Sequence, residues 1–188
     1  MRHYQPADDP ERRGWQDPER ILGDIGLKPG MTFVDVGCGG GFFALPAARV
    51  VGETGRVYGL DLSATSIDGL KRAAQREGLA NVRGIVGRAE DLIPCDACAD
   101  IVFFANVMHD LGDPARVLEN SRKALRPQGW LVNLEWKRRS MWLGPPLERR
   151  LSEERSVELI EAAGFHVVEA KDCGPYHYII KAALRRRG

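Results

Sequence analysis

Short runs rich in β-branched and aromatic residues alternate along this chain with longer stretches in which apolar residues recur at helical spacing. A run of the first kind is typical of a buried strand, and the second pattern is typical of an amphipathic helix. Asp17 followed by Pro18 also predicts a helix start, because Asp accepts from free N–H groups and Pro fits the first turn. Strands are predicted at residues 32–36, 56–62, 81–86, 100–106, 130–136, 166–171 and 176–184, and helices at 41–51, 64–77, 114–125 and 153–163.

The order of these elements predicts an α/β fold. Strands that alternate with helices pair in parallel through right-handed crossovers. The last two strands are separated only by the turn at residues 173–175, which is too short for a helical crossover, so they should form an antiparallel hairpin. We expect a seven-stranded, mostly parallel sheet with one antiparallel strand near an edge and helices on both faces. Ligands bind such sheets at the carboxyl ends of the strands.

Composition and charge narrow the kinds of partner. The 188 residues include 27 Lys and Arg against 26 Asp and Glu, which gives a net charge of +1. This balance makes nucleic acid an unfavoured partner, and no apolar run is long enough to span a bilayer. Residues 1–10 lack the apolar stretch of a secretory signal, so we expect a cytoplasmic protein. Residues 17–188 are predicted to form a single domain, preceded by an N-terminal arm or lid at residues 1–16.

The four cysteines are Cys38, Cys95, Cys98 and Cys173. A cytoplasmic setting keeps thiols reduced, and a domain of this size does not need disulfides for stability. Cys95 and Cys98 form a single CxxC pair, whereas a structural zinc site normally needs four ligands. We therefore expect two free thiols in a loop and no metal.

The first predicted strand leads into a loop with three regularly spaced glycines, Gly37, Gly39 and Gly41, preceded by Asp35. Such glycines let the backbone turn sharply and approach a ligand, and the following helix offers free N–H groups. The dinucleotide fingerprint needs a third glycine where Phe42 stands, so a nicotinamide cofactor is disfavoured. The spacing indicates a different nucleotide-like ligand. Asp35 either contacts that ligand or only stabilises the conformation of the loop.

The ends of the second and third predicted strands also carry polar residues that could contact a nucleotide-like ligand. Asp61 ends the second strand, where a carboxylate can accept from both ribose hydroxyls, and the third strand leads into a polar loop at residues 87–92. Together with the apolar fourth strand and the segment Leu125-Arg126-Pro127-Gln128-Gly129, this ordered series resembles the class I S-adenosylmethionine-dependent methyltransferases over residues 18–184. The resemblance implies a Rossmann-like fold, S-adenosylmethionine as cofactor and methyl transfer as the activity.

The resemblance also implies which residues bind the cofactor. Gly37 and Gly39 would pack under its methionine part, and Asp61 would bind its ribose. Asn106 and Val107 would line the methionine side and the mouth of the acceptor pocket. The complete set is Asp35, Gly37, Cys38, Gly39, Asp61, Leu62, Arg88, Ala89, Glu90, Asn106 and Val107, with Cys38 as a small loop residue, Leu62 against the adenine and the Ala89 N–H donating to it.

Arg88 departs from the pattern of the resembled family. Many relatives have an aspartate at this position, where it accepts from the adenine amino group. An arginine cannot accept a hydrogen bond. Glu90, Asp91 or a backbone carbonyl must then take that place, while Arg88 stacks on the ring or points to solvent.

The residues after the fourth and fifth strands are the candidates for acceptor chemistry. A methyl donor is already activated, so a base is needed only when the acceptor holds a proton of high pKa. His109 has the right titration range and is the predicted catalytic residue, with Asp110 and Glu135 as further candidates. The alternative is that His109 only lines the pocket.

The segment 136–146 follows the fifth strand and covers the acceptor site in the resembled family. Its aromatic and methionine residues, Trp136, Met141 and Trp142, predict an apolar wall. Its cations at 137–139 predict contact with an anionic acceptor. The alternative is a solvated charged loop.

A methyltransferase acting on a small-molecule acceptor is the leading hypothesis, because the short insertions leave no separate recognition domain. RNA or protein methylation is an alternative, suggested by the basic residues at 185–187. A non-catalytic S-adenosylmethionine-binding subunit is another. We expect a monomer or homodimer.

Overall fold

Residues 10–185, which the computed structural model describes, fold into the alternating elements that the sequence pattern predicts. The strands are β1 (Thr32–Val36), β2 (Arg56–Asp61), β3 (Val82–Val86), β4 (Ala99–Ala105), β5 (Leu125–Trp136), β6 (Phe165–Cys173) and β7 (His177–Leu184). The α-helices are α1 (Pro10–Arg13), α2 (Pro18–Asp24), α3 (Ala44–Val51), α4 (Ala64–Arg76), α5 (Pro114–Ala124) and α6 (Glu153–Ala162). Short 3-10 helices lie at Met108–Asp110 and Leu147–Arg149.

The seven strands form one sheet in the order β3-β2-β1-β4-β5-β7-β6. Strands β1 to β5 pair in parallel, and β7 lies antiparallel between β5 and β6. This arrangement confirms the predicted fold class. The chain leaves β1 toward β2 on one side and later returns to pair β4 on the other, so the ligand-binding switch point lies between β1 and β4.

A hydrophobic core packs on each face of the sheet. Because side chains alternate along a strand, Phe33 and Phe103 face the core that also contains residues of α2, α3 and α4. Val34 and Phe104 face the opposite core, which contains residues of α5 and α6. Both faces are therefore covered, as a parallel sheet requires.

Four of the six described α-helices begin at a polar residue whose side chain caps the helix. Asp17 and Asp113 each accept a hydrogen bond from the backbone N–H three residues later, at 3.1 and 3.0 Å, and Pro follows each of them. Ser63 and Ser152 cap α4 and α6 in the same way. These contacts satisfy N–H groups that a helix leaves unpaired at its start.

Many boundaries differ from the sequence prediction by one or two residues, and two element starts differ by more. The helix predicted from residue 41 begins at Ala44, because Gly41 has φ +102°, which a helix does not allow. Strand β5 begins at Leu125 instead of residue 130, because Leu125 pairs with Ala99 before the register shifts. A Cβ on Gly129 would lie 2.8 Å from the Ala99 carbonyl, so this close pairing depends on glycine.

Part of the predicted arm is ordered against the domain. Residues 10–13 form α1, while residues 1–9 lie outside the described part of the chain. No helix within residues 10–185 is long and apolar enough to cross a bilayer.

Candidate functional site

The glycine loop joins β1 to α3 at the switch point. Gly37, Gly39 and Gly41 all have positive φ values, of +72°, +53° and +102°. The N–H groups of Gly37 and Cys38 both donate to the Leu60 carbonyl, at 2.7 and 3.1 Å, which fixes the loop to β2. This geometry explains the glycine spacing, since an L side chain is strained in that region.

Gly37 also brings the end of β4 against the loop. A Cβ on Gly37 would lie 2.5 Å from a methyl group of Val107. A Cβ on Gly39 would meet no atom of the described chain within 4 Å. The backbone at Gly39 therefore borders open space, whereas Gly37 borders the predicted acceptor-side residue Val107.

Asp35 is buried at the carboxyl end of β1. Its carboxyl accepts from the Ala44 N–H at the start of α3, while Oδ2 has no hydrogen-bond partner among residues 10–185. Burial, with a smaller contribution from Asp61, raises the pKa of Asp35 to about 7, although Arg12 and the Ala44 N–H act in the other direction. Asp35 thus stabilises the connection between β1 and α3, and its Oδ2 accepts no hydrogen bond from the described residues.

Asp61 closes the loop from the side of β2. Its Oδ2 accepts from the Gly39 N–H at 2.9 Å, and its Oδ1 accepts from the Ser63 N–H at 2.8 Å. Each carboxylate oxygen keeps a second lone pair for a further donor. The neighbouring Leu62 side chain is 68% exposed, so its apolar surface is free to cover a ring.

The segment after β3 is anchored by a residue that the sequence reasoning missed. Asn120 on α5 donates to the carbonyls of Ala89 and Glu90, at 2.9 and 2.8 Å. Arg88 is more than half exposed and pairs with Glu90 at 3.5 Å. Glu90 also accepts from the Gly112 N–H at 3.2 Å. A polar position on an amphipathic helix gives no local signal for a contact this distant in sequence.

Asn106 follows β4 in a left-handed conformation, with φ +58°. Such strain in a residue other than glycine is often found at functional sites. Its amide oxygen is buried and has no hydrogen-bond partner among the described residues, and its Nδ2 lies 3.5 Å from the Gln16 side-chain oxygen. Asp35 and Asn106 therefore place two unused acceptors at the ends of the adjacent strands β1 and β4.

His109, Asp110 and Glu135, all predicted as candidates, are brought together. His109 Nδ1 lies 2.9 Å from Glu135 Oε2, and its Nε2 lies 3.3 Å from Asp110 Oδ1. Burial lowers the pKa of His109, but the hydrogen bond and charge of Glu135 and the charge of Asp110 outweigh it, so the pKa is raised above 6.5. Arg149 in turn donates to Asp110.

The N-terminal segment, residues 10–16, reaches this edge of the sheet. Gln16 is buried, accepts from Arg12 Nε at 2.7 Å and lies 3.4 Å from His177 Nε2. The Trp15 ring stacks on His177, and the Arg12 guanidinium lies 3.8 Å from the centre of the Phe42 ring. Burial lowers the pKa of His177 to about 3, so its imidazole is neutral. These residues belong to the predicted arm or lid, but no local sequence pattern indicates their individual contacts with Phe42, Asn106 and His177.

The loop after β5 is held by Arg150. This buried guanidinium donates to the carbonyls of Lys137, Arg139, Leu143 and Pro145. Lys137 and Arg139 themselves contact the turn between β6 and β7, through the Gly174 and Pro175 carbonyls. The expectation that these two cations hold an acceptor is therefore not supported. Trp136 is buried, whereas Trp142 is 78% exposed, so they do not form one continuous wall.

The cysteine prediction also needs correction. Cys95 and Cys98 are joined in a disulfide, with Cα atoms 5.9 Å apart, instead of being two free thiols. Three residues of separation in a bent loop allow this pairing, and Ala97 between them has φ +44°. Cys38 is buried, which raises the pKa of its thiol, so it is an inert loop residue.

The predicted cofactor can be tested against this geometry. S-adenosylmethionine has a cationic methionine part, a ribose and an adenine. Three features of the crevice suit these groups: the open space at Gly39, the acceptor oxygens of Asp35 and Asn106 that have no partner among residues 10–185, and the two carboxylate oxygens of Asp61. Phe42 packs in the core beside Phe43 and does not fill the crevice. The residues therefore fit the cofactor.

A parallel sheet with this glycine loop, an acidic residue ending β2 and a β7 inserted antiparallel defines an S-adenosylmethionine-dependent methyltransferase fold. The family model described as "Methyltransferase domain" matches residues 27–161. The chain belongs to this methyltransferase-domain family, which confirms the resemblance and the cofactor that it implied.

Individual proteins similar to this chain are also named as methyltransferases. A solved S-adenosylmethionine-dependent methyltransferase from Aquifex aeolicus is 32% identical, superimposes with a TM-score of 0.90 and covers 95% of both chains. The 2-phytyl-1,4-naphtoquinone methyltransferase of Trichormus variabilis is 33% identical over 129 residues, covering 68% of this chain and 56% of the relative. The demethylmenaquinone methyltransferase of Staphylococcus aureus is 31% identical over 118 residues, covering 62% and 48%. The chain thus spans about half the length of the curated relatives it matches.

Proposed function

We propose that this protein transfers the methyl group of S-adenosylmethionine to a small-molecule acceptor. The observation that carries the proposal is the crevice between the glycine loop and Asp61, bordered by the unused acceptor oxygens of Asp35 and Asn106. The bound cofactor supplies a methyl group already activated on a positively charged sulfur. The protein then has to bind, orient and shield the reactants.

The cofactor-binding roles follow from the contacts of each residue. Asp61 accepts from the ribose hydroxyls with its free lone pairs while Gly39 and Ser63 hold its carboxylate still. Leu62 covers one face of the adenine, and the segment fixed by Asn120 presents the Ala89 N–H to its edge. Gly37 and Cys38 support the methionine part, and Arg88 and Glu90 form the polar rim of the adenine site.

The N-terminal segment acts as a lid in this proposal. Gln16 bridges Arg12, Asn106 and His177, which belong to three different parts of the chain. It therefore crosses the ends of the strands where the methionine part binds. A closed lid excludes water from the reacting groups.

Two relatives' names support a small-molecule acceptor, since one is named a 2-phytyl-1,4-naphtoquinone methyltransferase and the other a demethylmenaquinone methyltransferase. No separate recognition domain interrupts residues 10–185. An extended RNA or protein surface is correspondingly unsupported by the fold.

The test is a methylation screen with labelled S-adenosylmethionine against metabolite, RNA and protein acceptors. We expect label to enter a small molecule, and Asp61→Ala to abolish that signal. Label found only in RNA or protein would replace the proposed acceptor class. Saturable cofactor binding with no labelled product in any class would favour the non-catalytic subunit.

A further inference from the structure

The disulfide between Cys95 and Cys98 lies at the end of the segment that follows β3. The two cysteines are three positions apart in the sequence, and both are half-buried. Asp96 and Ala97, which lie between them, are exposed, so a small thiol reagent can approach the bond from solvent. A disulfide that closes so short a loop restricts the unfolded chain less than one that closes a long loop. Its main effect is therefore expected to be local.

The other two cysteines are kept away from this pair. Cys38 and Cys173 pack against the core that contains residues of α2, α3 and α4. The disulfide packs against the core on the opposite face of the sheet. Because the sheet separates the two sets of sulfurs, this bond opens and closes only within the pair or with a thiol from another molecule.

Helix α5 holds the segment after β3 at both of its ends. At the first end, the Asn120 side chain donates to the carbonyls of Ala89 and Glu90, at 2.9 and 2.8 Å. At the second end, the N–H groups of Ala97 and Cys98 donate to carbonyls in the last turn of α5, at 2.8 and 3.0 Å. The residues between these two anchors are those whose freedom the disulfide can change.

The disulfide shortens the free part of this segment. With the bond closed, Cys95 is tied to the anchored Cys98, so residues 91–94 lie between fixed points. With the bond open, the stretch without an anchor extends to residue 96. A longer free stretch has more conformations to lose when a ligand orders it. Reduction should therefore weaken the binding of any ligand that this segment contacts.

We propose that Cys95 and Cys98 form a reversible redox site that reacts with dithiols, and that its oxidation state sets the affinity for S-adenosylmethionine. The second part rests on the proposed function, which places the adenine against Ala89 and Glu90. A thiolate of the dithiol attacks one sulfur of the pair and forms a mixed disulfide, while the other sulfur leaves as a thiolate and takes a proton. The second thiol of the reagent then attacks the mixed disulfide. The reagent becomes a disulfide, and the protein gains two electrons and two protons.

The experiment uses the full-length protein equilibrated with either reduced or oxidised dithiothreitol. Alkylation of free thiols in denaturant, followed by peptide mass spectrometry, reports which cysteines are bonded. Calorimetry measures the affinity for S-adenosylmethionine in each state. Cys95→Ser removes the redox site, and Cys173→Ser, on the opposite face of the sheet, is the matched control.

We expect Cys95 and Cys98 to be bonded after oxidation and alkylated after reduction, and the change to reverse when the reagent is exchanged. The dissociation constant for S-adenosylmethionine should rise about 5-fold on reduction, because the cofactor must then order a longer free stretch. Cys95→Ser should show the weaker affinity under both conditions. Cys173→Ser should respond as the wild type does.

Four alkylated cysteines in the oxidised protein would overturn the redox site. A bond that forms and breaks without changing the dissociation constant, or an equal change in Cys95→Ser, would overturn its link to the cofactor. Failure of the proposed function is distinct, because S-adenosylmethionine would then bind in neither state. The claim about affinity would fall with it, while the alkylation pattern would still report the redox reaction.

A second measurement follows the segment in the wild-type protein without cofactor. Hydrogen exchange, read by mass spectrometry, should be faster in the reduced than in the oxidised form for peptides that cover residues 91–96. Peptides from β6 should exchange equally in both forms. Equal exchange of the segment in the two forms would show that the disulfide does not hold it and would contradict the proposal.

Discussion

At the scale of single residues, the buried carboxyl of Asp35 makes the free energy of unfolding depend on pH. Burial, then Asp61, raise its pKa from 3.8 to about 7. The folded protein therefore holds this proton more tightly than the unfolded chain does. The stability that this contributes is complete below the unfolded pKa and is lost as the pH rises through the folded one.

Asp35→Asn removes that titration and keeps an oxygen for the Ala44 N–H. Relative to this variant, the wild type should lose free energy of unfolding on the order of 4 kcal/mol between about pH 4 and pH 8. Urea denaturation across that range measures it, and the contribution of His109 cancels because both proteins retain it. Parallel curves for wild type and variant would show that Asp35 does not titrate in this range.

Asp61 is the second residue whose removal has a defined effect. Asp61→Ala deletes the acceptor for Gly39 and for the ribose hydroxyls. Losing two charge-assisted hydrogen bonds should weaken S-adenosylmethionine affinity by roughly 100-fold or more. Calorimetry measures this, with Asp68→Ala on the exposed side of α4 as the control. Equal affinity in wild type and Asp61→Ala would remove Asp61 from the site.

At the scale of elements, α5 supports the segment after β3 through one side chain. Asn120→Ala leaves the buried-side carbonyls of Ala89 and Glu90 without their donor. We expect the free energy of unfolding to fall by about 1–3 kcal/mol and cofactor affinity to fall with it. The neighbouring exposed Glu119→Ala is the control. Lower stability with unaltered affinity would mean that this segment does not contact the cofactor.

The loop after β5 depends in the same way on Arg150. A lysine cannot reproduce a guanidinium that donates to four carbonyls, so Arg150→Lys should loosen residues 137–149. Limited trypsin digestion should cleave at Lys137 to Arg139 several-fold faster than in the wild type. Arg155→Lys, on the exposed face of α6, is the control. Equal cleavage rates would show that Arg150 does not hold the loop.

Elements differed in how well the sequence predicted them, for identifiable reasons. Helices α2 and α5 start at Asp-Pro pairs whose local chemistry is complete in the sequence, and both were predicted at the correct residue. Helix α1 has only four residues and depends on packing of Arg12 against Phe42, which no local pattern encodes. The disulfide between Cys95 and Cys98 also depends on loop geometry that spacing alone does not determine.

At the scale of the whole molecule, the position of the parallel strand ends was predictable from the sequence. The contacts between the N-terminal segment and β7 at the same edge were not. Strand ends on β1, β2 and β4 meet at one edge by topology, so Asp35, Asp61 and Asn106, the last predicted through the family resemblance, could be expected to lie close together. The contact between Gln16 and His177 joins residues 161 positions apart. It arises because β7 is inserted antiparallel and starts at the edge where the parallel strands end. Glu135 and His109 were each candidates, but only the fold pairs them.

The central claim is that this edge of the sheet is a binding site for S-adenosylmethionine. Isothermal titration of the full-length protein with S-adenosylmethionine, and separately with NADH, tests it most directly. We predict saturable one-to-one binding of S-adenosylmethionine and no heat of binding with NADH. An absence of binding by S-adenosylmethionine, or binding of NADH in its place, would contradict the account.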